Sequence, residues 1–139
     1  MNVAFRRTRD VQMIQALHNL IFPNDELIAP TAMSMMWVGE DESGTPVAFC
    51  TARKLRWENA VFLERAGVLP LASGLGLQRR MIRLRERWAR EIDATTCLTY
   101  TMLKNYASIV NLLRCGYRFY SPHSKWVGDR VHYFRRDFE

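Results

Sequence analysis

Residues 67–80 read GVLPLASGLGLQRR: an apolar strand end, a proline, a Gly-x-Gly turn and the start of an arginine-rich helix. Two glycines at a strand-to-helix junction mean that the backbone bends sharply or approaches something closely. A helix entered this way presents unpaired backbone N–H groups and the positive end of its dipole, which together suit an anion. Gly74 and Gly76 let a phosphate approach without interference from a Cβ. The P-loop spacing G-x-x-x-x-G-K-[ST] is absent, because Gln78 and Arg79 follow the turn. The dinucleotide fingerprint G-x-G-x-x-G fails as well, since Arg79 stands at its third glycine. Taken alone, the stretch is either a structural turn or an anion cradle.

Outward from the turn, the flanking segments read as a strand before it (residues 59–70) and an amphipathic helix after it (residues 75–91). Leu77, Met81, Leu84 and Trp88 mark the apolar face of that helix, and its arginines read mostly as a solvated face, with Arg79 and Arg80 next to the turn placed to neutralise a bound phosphate. A strand over 95–103 follows, so the unit is a βαβ crossover, which places two parallel strands side by side. Upstream, residues 3–7 read as a strand, and Val11, Ile14, Leu17 and Ile21 carry a helical stripe. Residues 22–31, with two prolines, read as a loop or a short second helix. The segments 35–40 and 45–55, joined by DESGT, read as a hairpin. Downstream, 105–117 reads as a helix stopped by Gly116, and 117–122 and 130–138 as closing strands. The fold class is therefore α/β (α+β), with a mixed, mostly antiparallel sheet flanked by helices. Its 139 residues form one domain, 1–139, without repeats or linkers.

The net charge of +6 favours anionic partners such as nucleic acid, acidic surfaces or a polyphosphate ligand. Cys50, Cys97 and Cys115 are odd in number and widely spaced, so they read as reduced residues, and no metal site is expected. No apolar run approaches the roughly 20 residues that cross a bilayer, and the first ten residues lack a signal-peptide core. The expectation is a cytoplasmic protein with no membrane partner.

The stretch VLPLASGLGLQRRM resembles the acetyl-CoA-binding motif of the GCN5-related N-acetyltransferase (GNAT) superfamily, V-x-P-x-x-[RQ]-x-x-G-x-[GA] in outline. Val68, Pro70, Gly74 and Gly76 match, while Ser73 and Gln78 depart from it. About 30 residues on, NYASIVNLLRCGYRF resembles the second helix of the family, with Asn105, Ser108, Arg114, Gly116 and Tyr117 matching. FRRTRDVQMIQAL resembles its first strand and helix, so the likeness spans nearly the whole chain in the right order.

The resemblance implies a sheet splayed between the fourth and fifth strands, with acetyl-CoA as cosubstrate in the gap. It places the pantetheine arm along Gly67, Val68 and Leu69. The pyrophosphate then lies on the amides of Ser73, Gly74, Leu75, Gly76 and Leu77 beside Arg79, and Asn105 touches the cofactor arm. A bulge in the fourth strand is expected at Gly67, freeing an N–H for the thioester carbonyl. The reaction implied is acetyl transfer to a primary amine of a small molecule, a protein or an aminoacyl-tRNA. Amines of this kind are mostly protonated at pH 7, so a base helps. Glu64 is the candidate base, grouped by strand alternation with Ala60, Phe62 and Ala66 and opposite Val61, Leu63 and Arg65. Its bland alternative is a pair with Arg53. Leu112 stands where the family carries its general-acid tyrosine, so Ser108, Tyr106 or water is left to supply that proton. Asp25 and Glu26 are candidates for contact with a cationic acceptor.

Two other readings stand beside this N-acetyltransferase. One is a non-catalytic acyl-CoA-binding regulatory module, motivated by Leu112 and Gln78. The other is a basic nucleic-acid-binding domain, for which no RNA-reading motif is present, so a tRNA partner is the less favoured choice. The expected assembly is a monomer or homodimer.

Overall fold

The computed structural model describes residues 1–26 and 29–138. Of the loop or short helix expected over 22–31, Leu27 and Ile28 lie outside the described residues. A seven-stranded sheet in the order β1-β2-β3-β4-β5-β7-β6 runs through the molecule. Its strands are β1 (Ala4–Thr8), β2 (Ser34–Glu40), β3 (Pro46–Lys54), β4 (Ala60–Val68), β5 (Thr96–Met102), β6 (Arg118–Phe119) and β7 (Val131–Asp137). The helices are α1 (Val11–Ile21), α2 (Leu77–Glu91) and α3 (Tyr106–Arg114). Neighbouring strands are antiparallel except β4 and β5, which the α2 crossover makes parallel. The mixed sheet and its parallel pair agree with the sequence reading.

Local chemistry sets the element ends. The Asp10 carboxylate caps α1 by accepting from the Met13 amide at 3.1 Å. The β2–β3 turn is organised by Asp41, whose Oδ1 accepts from the amides of Ser43 and Thr45, and Gly44 supplies φ +81°. The closing strand expected over 117–122 is only the two residues of β6, because Ser121–Pro122 removes a ladder donor.

Helices cover both faces. One face of the sheet packs Cys50, Val61, Leu63 and Cys97 under Met81, Ile82 and Trp88 of α2. The other packs Met36, Val38 and Phe49 against Ile14 and Leu17 of α1. Further along that second face, Phe62 and Leu98 meet Tyr100 and Trp126. The three cysteines are free and buried. A buried carboxylate, Glu86, joins α2 to the far end of the sheet by accepting from Arg83, Tyr117 and Arg136, each at 2.8 Å.

Two irregularities position the cleft. First, β4 and β5 pair only at Ala60–Thr96, Val61–Cys97 and Phe62–Leu98, and then diverge. The splay expected between these strands is therefore present. Second, β4 bulges opposite β3: Thr51 faces Arg65 but the next residue, Ala52, faces Leu63, so Glu64 is the extra residue. The bulge expected at Gly67 is thus at Glu64 instead. Gly67 is in regular register with Phe49, and a bulge of this kind needs no glycine. Gly67 is small for another reason: a Cβ there would come within 3.0 Å of Phe49, Ile21 and Phe22.

The bulge also corrects the expected alternation. Ala66 packs with Val61 and Leu63 rather than with Phe62, and the Arg65 guanidinium lies 5.3 Å over the Phe22 ring on the opposite face. Inserting one residue exchanges the two faces for everything beyond it.

Candidate active site

The turn that closes β4 is built from Pro70–Ala72, a single 3-10 turn, followed by Ser73 to Gly76. Gly74 and Gly76 have φ of +80° and +73°, and Gly76 enters α2 in the left-handed conformation. A Cβ at either would meet nothing within 4 Å, so conformation and not space demands glycine there. The backbone amides of Gly74, Leu75, Gly76, Leu77, Gln78 and Arg79 donate to no acceptor among the described residues. Of these residues Gly74, Gly76, Leu77, Gln78 and Arg79 line a cavity of about 540 Å³, together with Gly67, Val68 and Ser73. Three of the expected cofactor residues do not line it: Leu69, Leu75 and Asn105, the last of which lines the neighbouring cavity. The Leu69 amide donates to the Val47 carbonyl at 2.8 Å, and Leu75 points outward from the turn, 43% exposed.

A second cavity of about 570 Å³ continues from the first, sharing Phe22, Gln78 and Asn111 with it. Together they form one cleft along the gap between β4 and β5. Glu64, Ser108, Asn105, Asp25 and Glu26 all line this second part, so the structure brings together every candidate catalytic and acceptor residue. Beyond Phe62 the β5-facing edge of β4 meets no strand among the described residues, and past the Leu63 carbonyl, which the Thr99 hydroxyl fills, its backbone is open to an extended ligand.

The side chains at this end are largely committed to neighbours. The Thr51 hydroxyl donates to Glu64 Oε1 at 3.4 Å, and Arg53 stands 4.0 Å from Oε2. The Arg53 partner weighed from the sequence is therefore present, at the long limit of an ion pair. Asp25 holds a shorter pair, 2.6 Å from Arg65. Asn105 caps α3 by accepting from the Ser108 amide at 3.4 Å. Arg79 donates to Asn111 at 3.1 Å, tying α2 to α3, whereas Arg80 stacks over Phe5. Leu112, at the position of the expected tyrosine, is buried and lines the cleft.

One of the α2 arginines departs from the solvated face expected of them. Arg85 is only 4% exposed and lines the inner part of the cleft. Its Nε donates to the Met81 carbonyl at 3.0 Å and NH1 to the Thr51 carbonyl at 3.5 Å. Its spacing of four from Met81 and three from Trp88 puts it on the buried stripe, a signal the sequence carried. Among the described residues no cluster of His, Cys, Asp and Glu could hold a metal ion.

A family model described as Acetyltransferase (GNAT) family matches residues 7–117. The chain belongs to this family. Solved structures share the GNAT fold at low identity. A Bacillus subtilis acetyltransferase in complex with CoA superimposes with a TM-score of 0.81 at 11% identity, covering 99% of this chain and 100% of that one. The IAA acetyltransferase from Bacillus cereus gives 0.80 at 13%, again over 99% and 100%. A phosphinothricin acetyltransferase from Sinorhizobium meliloti in complex with AcCoA gives 0.77 at 14%, over 99% and 89%. No curated protein matches the chain. In this GNAT domain no helix among the described residues is long and apolar enough to cross a membrane.

Proposed function

We propose that this GNAT protein is an N-acetyltransferase that moves an acetyl group from acetyl-CoA to a primary amine of a small molecule, a protein or an aminoacyl-tRNA. The observation that carries the reading is the turn at Gly74 and Gly76, whose unpaired amides stand at the mouth of a cleft opened by the divergence of β4 and β5. Orphaned amides at a helix start are what a pyrophosphate needs. The open edge of β4 from Glu64 to Val68 suits an amide-bearing arm that pairs like a strand. The residues present therefore fit the cosubstrate, which supplies an activated acyl thioester.

Within the cleft, Glu64 takes a proton from the attacking amine, directly or through water. The bulge leaves Glu64 out of the β3–β4 ladder and turns it toward Thr51 and Arg53. Ser108, half-buried on the first turn of α3, returns a proton to the departing thiolate in place of the tyrosine that Leu112 replaces. Glu26, exposed at the rim, draws a cationic acceptor inward, and the Asp25–Arg65 pair holds the rim beside it. Buried free thiols accord with a reducing, cytoplasmic setting.

Release of free thiol during incubation with acetyl-CoA and a panel of amines tests the proposal, with calorimetric titration of CoA beside it. Turnover on one amine class is expected. Leu112 favours one rival, the acyl-CoA-binding module, which predicts CoA affinity with no turnover on any acceptor.

A further inference from the structure

The inner end of the cleft holds two polar groups that the acetyl-transfer reading leaves unused. Arg85 is 4% exposed, and no carboxylate lies within 4.0 Å of it among the described residues. Its hydrogen-bond partners among the described residues are two backbone carbonyls, for a group with five N–H donors. Glu86, the next residue, is taken by Arg83, Arg136 and Tyr117. Glu64 lines the same cavity but stands beside Arg53. Across the gap, Thr101 on β5 is 5% exposed, and its Oγ1 has no hydrogen-bond partner among the described residues. Both side chains line the inner cavity, and strand alternation puts Thr101 on the α2 side with Cys97 and Thr99.

A buried cation without a counter-charge is costly, and so is a buried hydroxyl without a partner. Two such groups facing one cavity point to a ligand that pairs with both. That ligand is not the pyrophosphate, because Gly74 and Gly76 of the turn line the outer cavity, which Arg85 does not line. A planar guanidinium with free N–H groups is matched best by a carboxylate. An acetyl methyl offers nothing to either group.

We propose that one of the two reacting molecules carries a carboxylate, which Arg85 and Thr101 hold at the inner end of the cleft. The inference rests on the acyl-transfer reading and deepens it. The carboxylate belongs either to the distal end of a dicarboxylic acyl thioester or to an amino-acid-like acceptor beside its amine. Arg85 is then the specificity-determining residue for that partner.

Binding measurements separate the two sources. In the donor arm, calorimetry compares succinyl-CoA with butyryl-CoA, which has the same chain length and no charge, and uses CoA as reference. In the acceptor arm, the proteinogenic amino acids are compared with their carboxamides on the CoA-loaded protein. A preference of at least about tenfold for the carboxylate is expected in one arm, as for a hydrogen bond to a charged group. Arg85→Met is expected to abolish that preference while CoA affinity stays within about twofold. Thr101→Val is expected to reduce the preference in part. If Arg85→Met does not fold, Arg85→Lys, which loses the planar fork, serves in its place.

Absence of a preference in both arms overturns the inference, and so does a preference that survives Arg85→Met. A variant that only melts lower, with selectivity unchanged, means that Arg85 merely braces the Thr51 carbonyl, which also overturns it. Failure of the protein to bind CoA at all overturns the acyl-transfer reading, and this inference with it. CoA affinity without carboxylate preference overturns this inference alone.

Discussion

The Thr99 hydroxyl donates to the Leu63 carbonyl across 2.9 Å, at the point where β4 and β5 stop pairing. In a continued parallel ladder a backbone amide of β5 would fill that carbonyl. Here a side chain does so, which lets the strands separate while the buried acceptor stays satisfied. Thr99→Val keeps the shape and removes the donor. Unfolding free energy is expected to fall by about 1–3 kcal/mol, the cost of an unsatisfied buried carbonyl. Urea denaturation measures it, and an unchanged midpoint would mean that the strands part without this bridge.

Gly76→Val tests the turn. At φ +73° a β-branched residue is strained, at a cost of about 1–2 kcal/mol. Nothing stands within 4 Å of a Cβ at this site, so the fold is expected to survive. The displaced amides are expected to lower CoA affinity at least about tenfold, since a few hydrogen bonds to a charged group are lost. Gly76→Asn, which tolerates the left-handed region, is expected to lose less. Calorimetry with CoA measures both, and equal affinities would remove the phosphate cradle from the mechanism.

Glu64→Gln keeps the size of the side chain and removes the base. At neutral pH the rate is expected to drop by about 10²- to 10⁴-fold, the range for loss of general acid–base catalysis. Toward pH 10 the deficit is expected to shrink, because the amine there sheds its proton unaided. A pH–rate profile parallel to that of the wild type would exclude Glu64 as the base.

Two buried thiols make stability sensitive to alkali. Burial pushes the Cys50 thiol up from 9.0 to about 11, and burial together with the Glu86 charge pushes Cys97 to about 12. In the unfolded chain these thiols ionise near pH 9, whereas the folded chain keeps them protonated, so it binds more protons between about pH 9 and 12. Their contribution to stability is complete below pH 9 and is lost as pH rises through that window. Tyr117, pushed up chiefly by burial, acts in the same direction at higher pH. Urea midpoints at pH 8 and pH 10.5 measure the drop, and Cys50→Ala is expected to make it smaller.

The sequence determined the crossover, the turn and the order of elements, because each rests on local rules. Helical spacing marked α2, the failed nucleotide spacings narrowed the turn at Gly74 and Gly76, and the second motif at Asn105 tied it to GNAT. Tertiary structure decided what the cleft contains. The bulge at Glu64 depends on how β4 pairs with β3, and no residue in β4 needs an unusual backbone to form it. Period-two reading therefore assigned Arg65 and Ala66 to the wrong faces. The helical spacing of Arg85 marked the buried face of α2, but that this face meets a cleft there depends on the gap left by two strands that separate. Local spacing records which face a residue occupies, whereas the sheet it meets there is set by pairings distant in the chain.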